Sequence, residues 1–449
     1  MKPNMKHLCV FLCHVLLVLF SPVTVIPSVY GRKFHRSCKK HHNSRYSESC
    51  KSTTIFNILS FGAKANGVSD DSKKLVAAWK AACKVGGGTL QIPSDHKFLI
   101  KPVTLQGPCM AHVVFQIDGT LLAPSKIGSW SKSNLYQWIN FKWVQNLTIQ
   151  GSGVIDGQGY NWWAPVESKQ ASLDIKPTAL RFYASEDIVV RDITIKNSPQ
   201  VHLKFDNSQG VKVNNVTILA PGNSPNTDGI HLQNTRDVEI LHSNIETGDD
   251  CVSIQTGCSN VHIHHINCGP GHGISIGGLG KDKSIACVSD IVVENSNIQD
   301  TLYGVRIKTW QGGLGLVKNI TFSNIQVANV NFPIVINQYY CDKSFCKNET
   351  GSIAIKEVMF DKITGSYSTQ PIHLACSKDI PCTEINLSDI QLKPSRRPLE
   401  GSQLQQALCY NSYGYSNGQL VPSSVNYCLK KEGGGGSVNQ ISTLSNELC

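Results

Sequence analysis

Several absences narrow this chain of 449 residues before any motif is considered. Charged residues make up only 16% of it, which is sparse. After the opening residues no apolar run approaches the roughly 20 residues that a membrane-spanning helix needs. No paired Cys-x-x-Cys motifs occur, so the 17 cysteines do not read as zinc ligands. The body of the sequence carries no basic stripe, which removes nucleic acid as a partner. A four-strand blade motif and a Leu-x-x-Leu-x-Leu frame are both missing, and with them the propeller and the leucine-rich repeat. What is present, 37 glycines among many short apolar alternations, suits an extended β architecture with frequent turns.

The N-terminus reads as a secretory signal over residues 1–31. Lys2 and Lys6 precede an apolar run from Leu8 to Phe20, with small residues after it. The expected product is secreted and soluble, in the extracellular space or a cell wall, with no membrane attachment once the signal is removed. Cys9 and Cys13 leave with the signal; of the other 15, most pair in an oxidising compartment and an odd one stays free or bonds another chain. Cys341/Cys346 and Cys376/Cys382 are spaced as local loop staples. Sequons at Asn146, Asn215, Asn319, Asn348 and Asn386 fit passage through the secretory pathway. Between Arg32 and Lys51 seven Lys/Arg face one acid, Glu48, a large share of the net charge of +10. Residues 32–54 are therefore a disordered basic leader, a propeptide, or a segment held electrostatically on an acidic polymer.

The folded domain is expected over residues 55–430. Asp70-Asp71-Ser72 offers capping side chains to a helix whose apolar face is Leu75, Trp79 and Cys83. One amphipathic helix ahead of a run of strands suits a cap on the open end of a solenoid. The strands then recur at fixed steps. Ile188/Val190 return as Val211/Val213, and Val238/Ile240 as Val261/Ile263, each after 23 residues. Ile230, Val252 and Ile274 form one column and Leu232, Ile254 and Ile276 the next, each with a step of 22. Later turns loosen through Ile291/Val293, Ile320/Phe322 and Ile334/Ile336, and the last strands fall near Ile385–Ile390. Such a period predicts an all-β chain, a single right-handed parallel β-helix with an N-terminal capping helix. Residues 431–449, opening on Glu432 and four glycines, read as a flexible tail.

The same step gathers chemistry. From Asp228 to Asp250 is 22 residues, and from Asp250 to His272 another 22. Stacked strands lie about 4.8 Å apart, so Asp228, Asp249, Asp250 and His272 share one outer patch, with Arg306 and Lys308 nearby. Crowded carboxylates raise at least one pKa, and a protonated carboxyl opposite an ionised one is what glycoside hydrolysis uses. Clustered acids also hold Ca²⁺, or merely shape turns; the two cations argue against a metal, and the preserved step against turn-shaping. His272, between glycines, would support the acids by hydrogen bonding or touch sugar. Arg306 and Lys308 lie on one strand face, Val305 and Ile307 on the other. Two cations beside a hydrolytic acid cluster indicate a substrate that is itself acidic. Trp310 offers either a stacking face or ordinary surface packing.

These blocks carry a resemblance. Asn226-Thr227-Asp228, Gly248-Asp249-Asp250, Gly271-His272-Gly273 and Arg306-Ile307-Lys308, in that order, resemble the four signatures of plant polygalacturonases, the family 28 glycoside hydrolases. The likeness runs from about Ile55 to Cys428. It implies a right-handed parallel β-helix and hydrolysis of α-1,4-galacturonan in pectin with inversion. By position it implies Asp249 as general acid, Asp228 and Asp250 as the pair that activates water, and His272 as support. It further implies Asn226, Arg306, Lys308 and Tyr340 as substrate-binding residues, a Cys251–Cys268 disulfide, and a monomer acting on an acidic polysaccharide without cofactor or metal. One departure is Gly277-Gly278, where the family often has Gly-Ser; altered substrate contact is the expected effect. Inversion predicts carboxyls about 6.5–9.5 Å apart, and the need for a protonated Asp249 predicts an acidic optimum. A calcium-dependent pectate lyase and a non-catalytic wall-binding protein are the alternatives. The first would make unsaturated products, and the second would be marked by loss of an acid.

Overall fold

The computed structural model describes residues 32–33, 54–130, 136–163, 176–342, 346, 348–349, 351–395, 404–431 and 448–449. The expected signal and most of the basic leader lie outside the described residues, as do Cys38, Cys50 and most of the Gly-rich tail. Arg32 and Lys33 pair antiparallel with Ile55 and Thr54.

From Thr54 to Asn417 the strands stack in parallel, coil upon coil, as a right-handed β-helix. A typical coil has three strands: Ile230–Gln233, Arg236–Leu241 and Asn244–Glu246. The next coil repeats them as Val252–Ile254, Cys258–His264 and Asn267–Cys268. The first strands of all coils make one sheet of 11 strands. Within it Ile230 pairs Val252, Val252 pairs Ile274 and Ile274 pairs Val305. On the second wall Leu147, Ile188, Val211, Val238, Val261, Ile291, Ile320, Val358 and Ile385 form one unbroken column. All of these side chains are buried. Because the side-chain period of a strand is two, fixing one apolar column inward fixes every alternate residue outward.

Two expectations change. Ile334/Ile336 do not continue the column of Ile320/Phe322; they pair with Val305/Ile307 in the 11-stranded sheet. Apolar alternation alone is the same on every wall, and only loop length tells the walls apart. The coils also run past Ile390, through Gln391–Pro394, Leu408–Tyr410 and Ser412–Asn417. The last of them is rich in Tyr and Ser, and all three lack the apolar alternation that marks the others.

At the N-terminal end the helix Ser72–Ala82 buries Leu75, Ala78, Trp79 and Ala82. Asp70 receives the Ser72 N–H at 3.0 Å, whereas Asp71 turns away and accepts from Lys64 and Ala65 N–H groups. Trp79 donates to the Gln106 carbonyl and meets Phe141 edge-on at 5.4 Å. Phe141, Phe182 and Phe205 continue inward as a stack with 5.0 Å steps. A Cys83–Cys109 disulfide ties the helix end to the body.

Polar ladders run along the coil corners. Asn and Asp there adopt positive φ, which their short side chains tolerate, and the amides bridge coils. Asn215 donates to Asp192, Asn260 to Asp237, Asn319 to Asp290 and Asn329 to Asp300, at 2.6–2.9 Å. The loop staples Cys341–Cys346 and Cys376–Cys382 are formed, as is Cys251–Cys268. Cys409–Cys428 and Cys287–Cys449 complete the set among the described residues. Among the described residues Cys258 is the free, buried thiol. No described helix is long and apolar enough to cross a membrane.

Candidate active site

In the 11-stranded sheet the residues between the two apolar columns all face outward, and they form a third column. Lys204, His231, Ser253, Ser275 and Arg306 follow one another coil by coil. Two residues before each strand's first apolar position stand Asp228, Asp250, His272 and Tyr303. Backbone bonds carry the stacking into these turns: His272 N–H donates to the Asp249 carbonyl and Gly229 N–H to that of Asp250. The result is a cleft of about 630 Å³, lined by the three aspartates with Asn226, His272, Arg306, Lys308 and Tyr340. Every expected site residue reaches it.

The three aspartates are not equivalent. Asp250 is 2% exposed, and each of its carboxylate oxygens has a cationic donor. Arg306 Nη2 and the Ser275 hydroxyl donate to Oδ1 at 2.9 and 2.7 Å, and Lys308 Nζ donates to Oδ2 at 2.8 Å. Burial alone would raise this carboxyl; Lys308 and Arg306 outweigh it and hold it at about 2. Asp228 Oδ2 accepts from Ser253 at 2.6 Å and lies 3.3 Å from His231 Nδ1. Burial again pushes upward, and His231 and Ser253 bring the carboxyl below its ordinary value despite nearby Asp250. Asp249 has no lysine or arginine on it. His272 Nδ1 at 3.0 Å and the Asp250 N–H at 2.8 Å both meet its Oδ1, so Oδ2 is left for a substrate atom.

The crowding argument for a raised pKa therefore does not hold for Asp228 and Asp250, because each crowded charge has its own neutralising partners. Arg306 and Lys308 line the cleft and are buried, at 5% and 7% exposure; Lys308 bonds Asp250, and Arg306 bonds Asp250 and Ser275. Tyr303 covers the Arg306 guanidinium at 3.9 Å, and Tyr340 lies 5.4 Å from Lys308 Nζ. Both oxygens of Asp250 are spoken for by cations and a hydroxyl, which disfavours a metal on the triplet Asp249, Asp250 and His272, although their ligand atoms lie within 4.8 Å of one another. That approach follows from adjacency in the chain, since the Asp250 N–H binds the Asp249 carboxylate; the span that bears on inversion is the one between acid and base, which it does not measure.

His231, Ser253 and Ser275 escape the sequence reading, although each sits between two apolar residues already placed in columns. Gly277-Gly278 proves to be a packing requirement. A Cβ on Gly277 would fall 2.0 Å from the Lys308 carbonyl, and one on Gly278 2.9 Å from the Tyr340 ring. The glycines let Trp310 and Tyr340 meet edge-on at 5.3 Å, and Lys281 covers Trp310 at 4.8 Å. Gly273 has φ +81°, and a Cβ there would sit 2.2 Å from the Gly304 carbonyl.

Three carboxylates facing one cleft on a solenoid wall, two of them held ionised, suit a glycoside hydrolase. The chain belongs to the glycosyl hydrolases family 28, which residues 83–409 match. It is 41% identical over 377 residues to a probable polygalacturonase of Arabidopsis thaliana, across 83% of this chain and 84% of that protein. To a polygalacturonase of Chamaecyparis obtusa it is 39% identical over 399 residues, across 87% of this chain and 76% of the other. The fold is shared with an exopolygalacturonase from Thermotoga maritima (TM-score 0.68, 20% identity, 81% of this chain and 90% of that one). It is shared too with a polygalacturonase from Erwinia carotovora (TM-score 0.65, 24% identity, 78% and 94%).

Proposed function

We propose that the chain is a secreted polygalacturonase that hydrolyses the α-1,4-galacturonosyl linkages of pectin in the plant cell wall, with inversion. The observation that carries this reading is the division among the aspartates. Asp249, steadied on Oδ1 by His272, gives its proton from Oδ2 to the departing glycosidic oxygen. Asp228, kept ionised by His231 and Ser253, takes a proton from the attacking water. Asp250 helps hold that water. Its charge is matched by two cations and its oxygens by three donors, so it is a poor nucleophile, and that favours direct attack by water over a covalent intermediate. The relatives named polygalacturonase support the galacturonan substrate. Lys204 and Lys281 also line the cleft, and the basic residues around it suit an acidic chain.

The test is incubation of the purified protein with polygalacturonate, followed by proton NMR of the first product. Inverted anomer, released without ultraviolet-absorbing ends and in the presence of chelator, is expected. Retained configuration would overturn the water-attack mechanism. Unsaturated, calcium-dependent products would make the enzyme a lyase.

A further inference from the structure

Away from the cleft, His242, His262, His264 and His265 gather with Glu239 and Glu294 on the second wall. His262 and His264 alternate with buried Val261 and Ile263 on the strand Cys258–His264, so both imidazoles face outward. Register places Glu239 beside His262 on the preceding coil and Glu294 beside His264 on the following one. The two rings lie 4.4 Å apart at 32°. His264 Nε2 is 3.5 Å from Glu239 Oε1, and His262 Nε2 is 2.9 Å from Glu294 Oε1. One ligand atom from each of Glu239, His262 and His264 falls within 4.8 Å of the other two. The hydrolytic site uses none of them.

His264 Nδ1 lies 2.8 Å from Nδ1 of His265, and one proton serves that contact. When His265 donates it, His264 Nε2–H faces Glu239 Oε1 at 3.5 Å; when His264 donates it, Nε2 is left with the lone pair that a metal takes. Two imidazoles and a carboxylate make the donor set of a borderline divalent ion. Lys212 bonds Glu239 Oε2 at 2.5 Å and leaves Oε1 available, while its charge weakens cation binding.

We propose that Glu239, His262 and His264 form a binding site for a divalent transition ion of the Zn²⁺ type, with Glu294 fixing the His262 ring as an outer partner. The site lies on the wall adjoining the cleft, and its two histidines belong to the coil that also contains Ser253.

The full-length protein, stripped of metal and held near neutral pH, is titrated with ZnCl₂ in a calorimeter. One Zn²⁺ per chain is expected. His264→Gln and Glu239→Gln should each weaken binding about tenfold or more, with hydrolysis in metal-free buffer unchanged. Lys212→Met should tighten binding. Absence of a binding heat overturns the proposal, as does affinity kept in His264→Gln and lost in His272→Ala, which would put the ion in the cleft.

Discussion

Replacing Asp250 with asparagine tests whether its charge is held by Arg306 and Lys308 as the geometry requires. In the folded protein Asp250 ionises at about 2, against 3.8 for a free aspartate. Each pH unit between those values is about 1.4 kcal/mol, so the ionised carboxylate contributes about 2 kcal/mol of stability. The folded value is depressed, so this contribution is complete above about pH 5 and is lost as pH falls from there toward 2. Asp250→Asn also strands two buried cations, and breaking a buried pair costs about 3–5 kcal/mol near neutral pH. The assay is urea unfolding of wild type and Asp250→Asn at about pH 6 and about pH 2.5. The variant should be less stable at the higher pH, and the gap should narrow by about 2 kcal/mol at the lower one. A gap that stays constant would refute the claim that ionised Asp250 is stabilised by its cations. Lys308→Met, which leaves Arg306 in place, should fall between the two proteins.

Asp249→Asn should lower kcat by about 10²–10⁴-fold while leaving the circular dichroism spectrum unchanged; comparable activity would remove it as the acid. His272→Ala should lower kcat more than it changes KM and displace the pH profile, because His272 acts through Asp249; an unaltered profile would make it merely structural. Gly273→Ala should destabilise the protein, since its new Cβ meets backbone at 2.2 Å, whereas Gly128→Ala, with nothing within 4 Å, should not; matching melting curves would contradict the packing described. Removing Cys251–Cys268, whose cysteines are 17 residues apart, should cost about 3 kcal/mol, read by denaturant unfolding, and should depress activity because Asp250 adjoins Cys251.

The solenoid was legible because its register is written locally. Val252 and Ile274 stand 22 residues apart and become neighbours by counting alone. The outward acids were legible for the same reason. Partnership was less so. Nothing in Arg306-Ile307-Lys308 says whether the cations look to a ligand or to Asp250, because that depends on how far the side chains reach across two coils. His231, Ser253 and Ser275 were within reach of the same counting, but single polar residues between apolar ones are the ordinary outer face of any strand. The wall assignment of Ile334 was hidden in loop lengths, and the last coils in their polar composition.

The site's position along the stack has a consequence for how activity fails. Four strands of the 11-stranded sheet precede Ile230–Gln233, and two follow Phe332–Tyr340. Stacked repeats touch only their neighbours, so they open from their ends. The coils that carry the cleft are then insulated by outer ones, which fray first. Damage that begins in the middle, at Asp250 or at the Cys251–Cys268 bond, has no such margin and cuts the enzyme's working life directly.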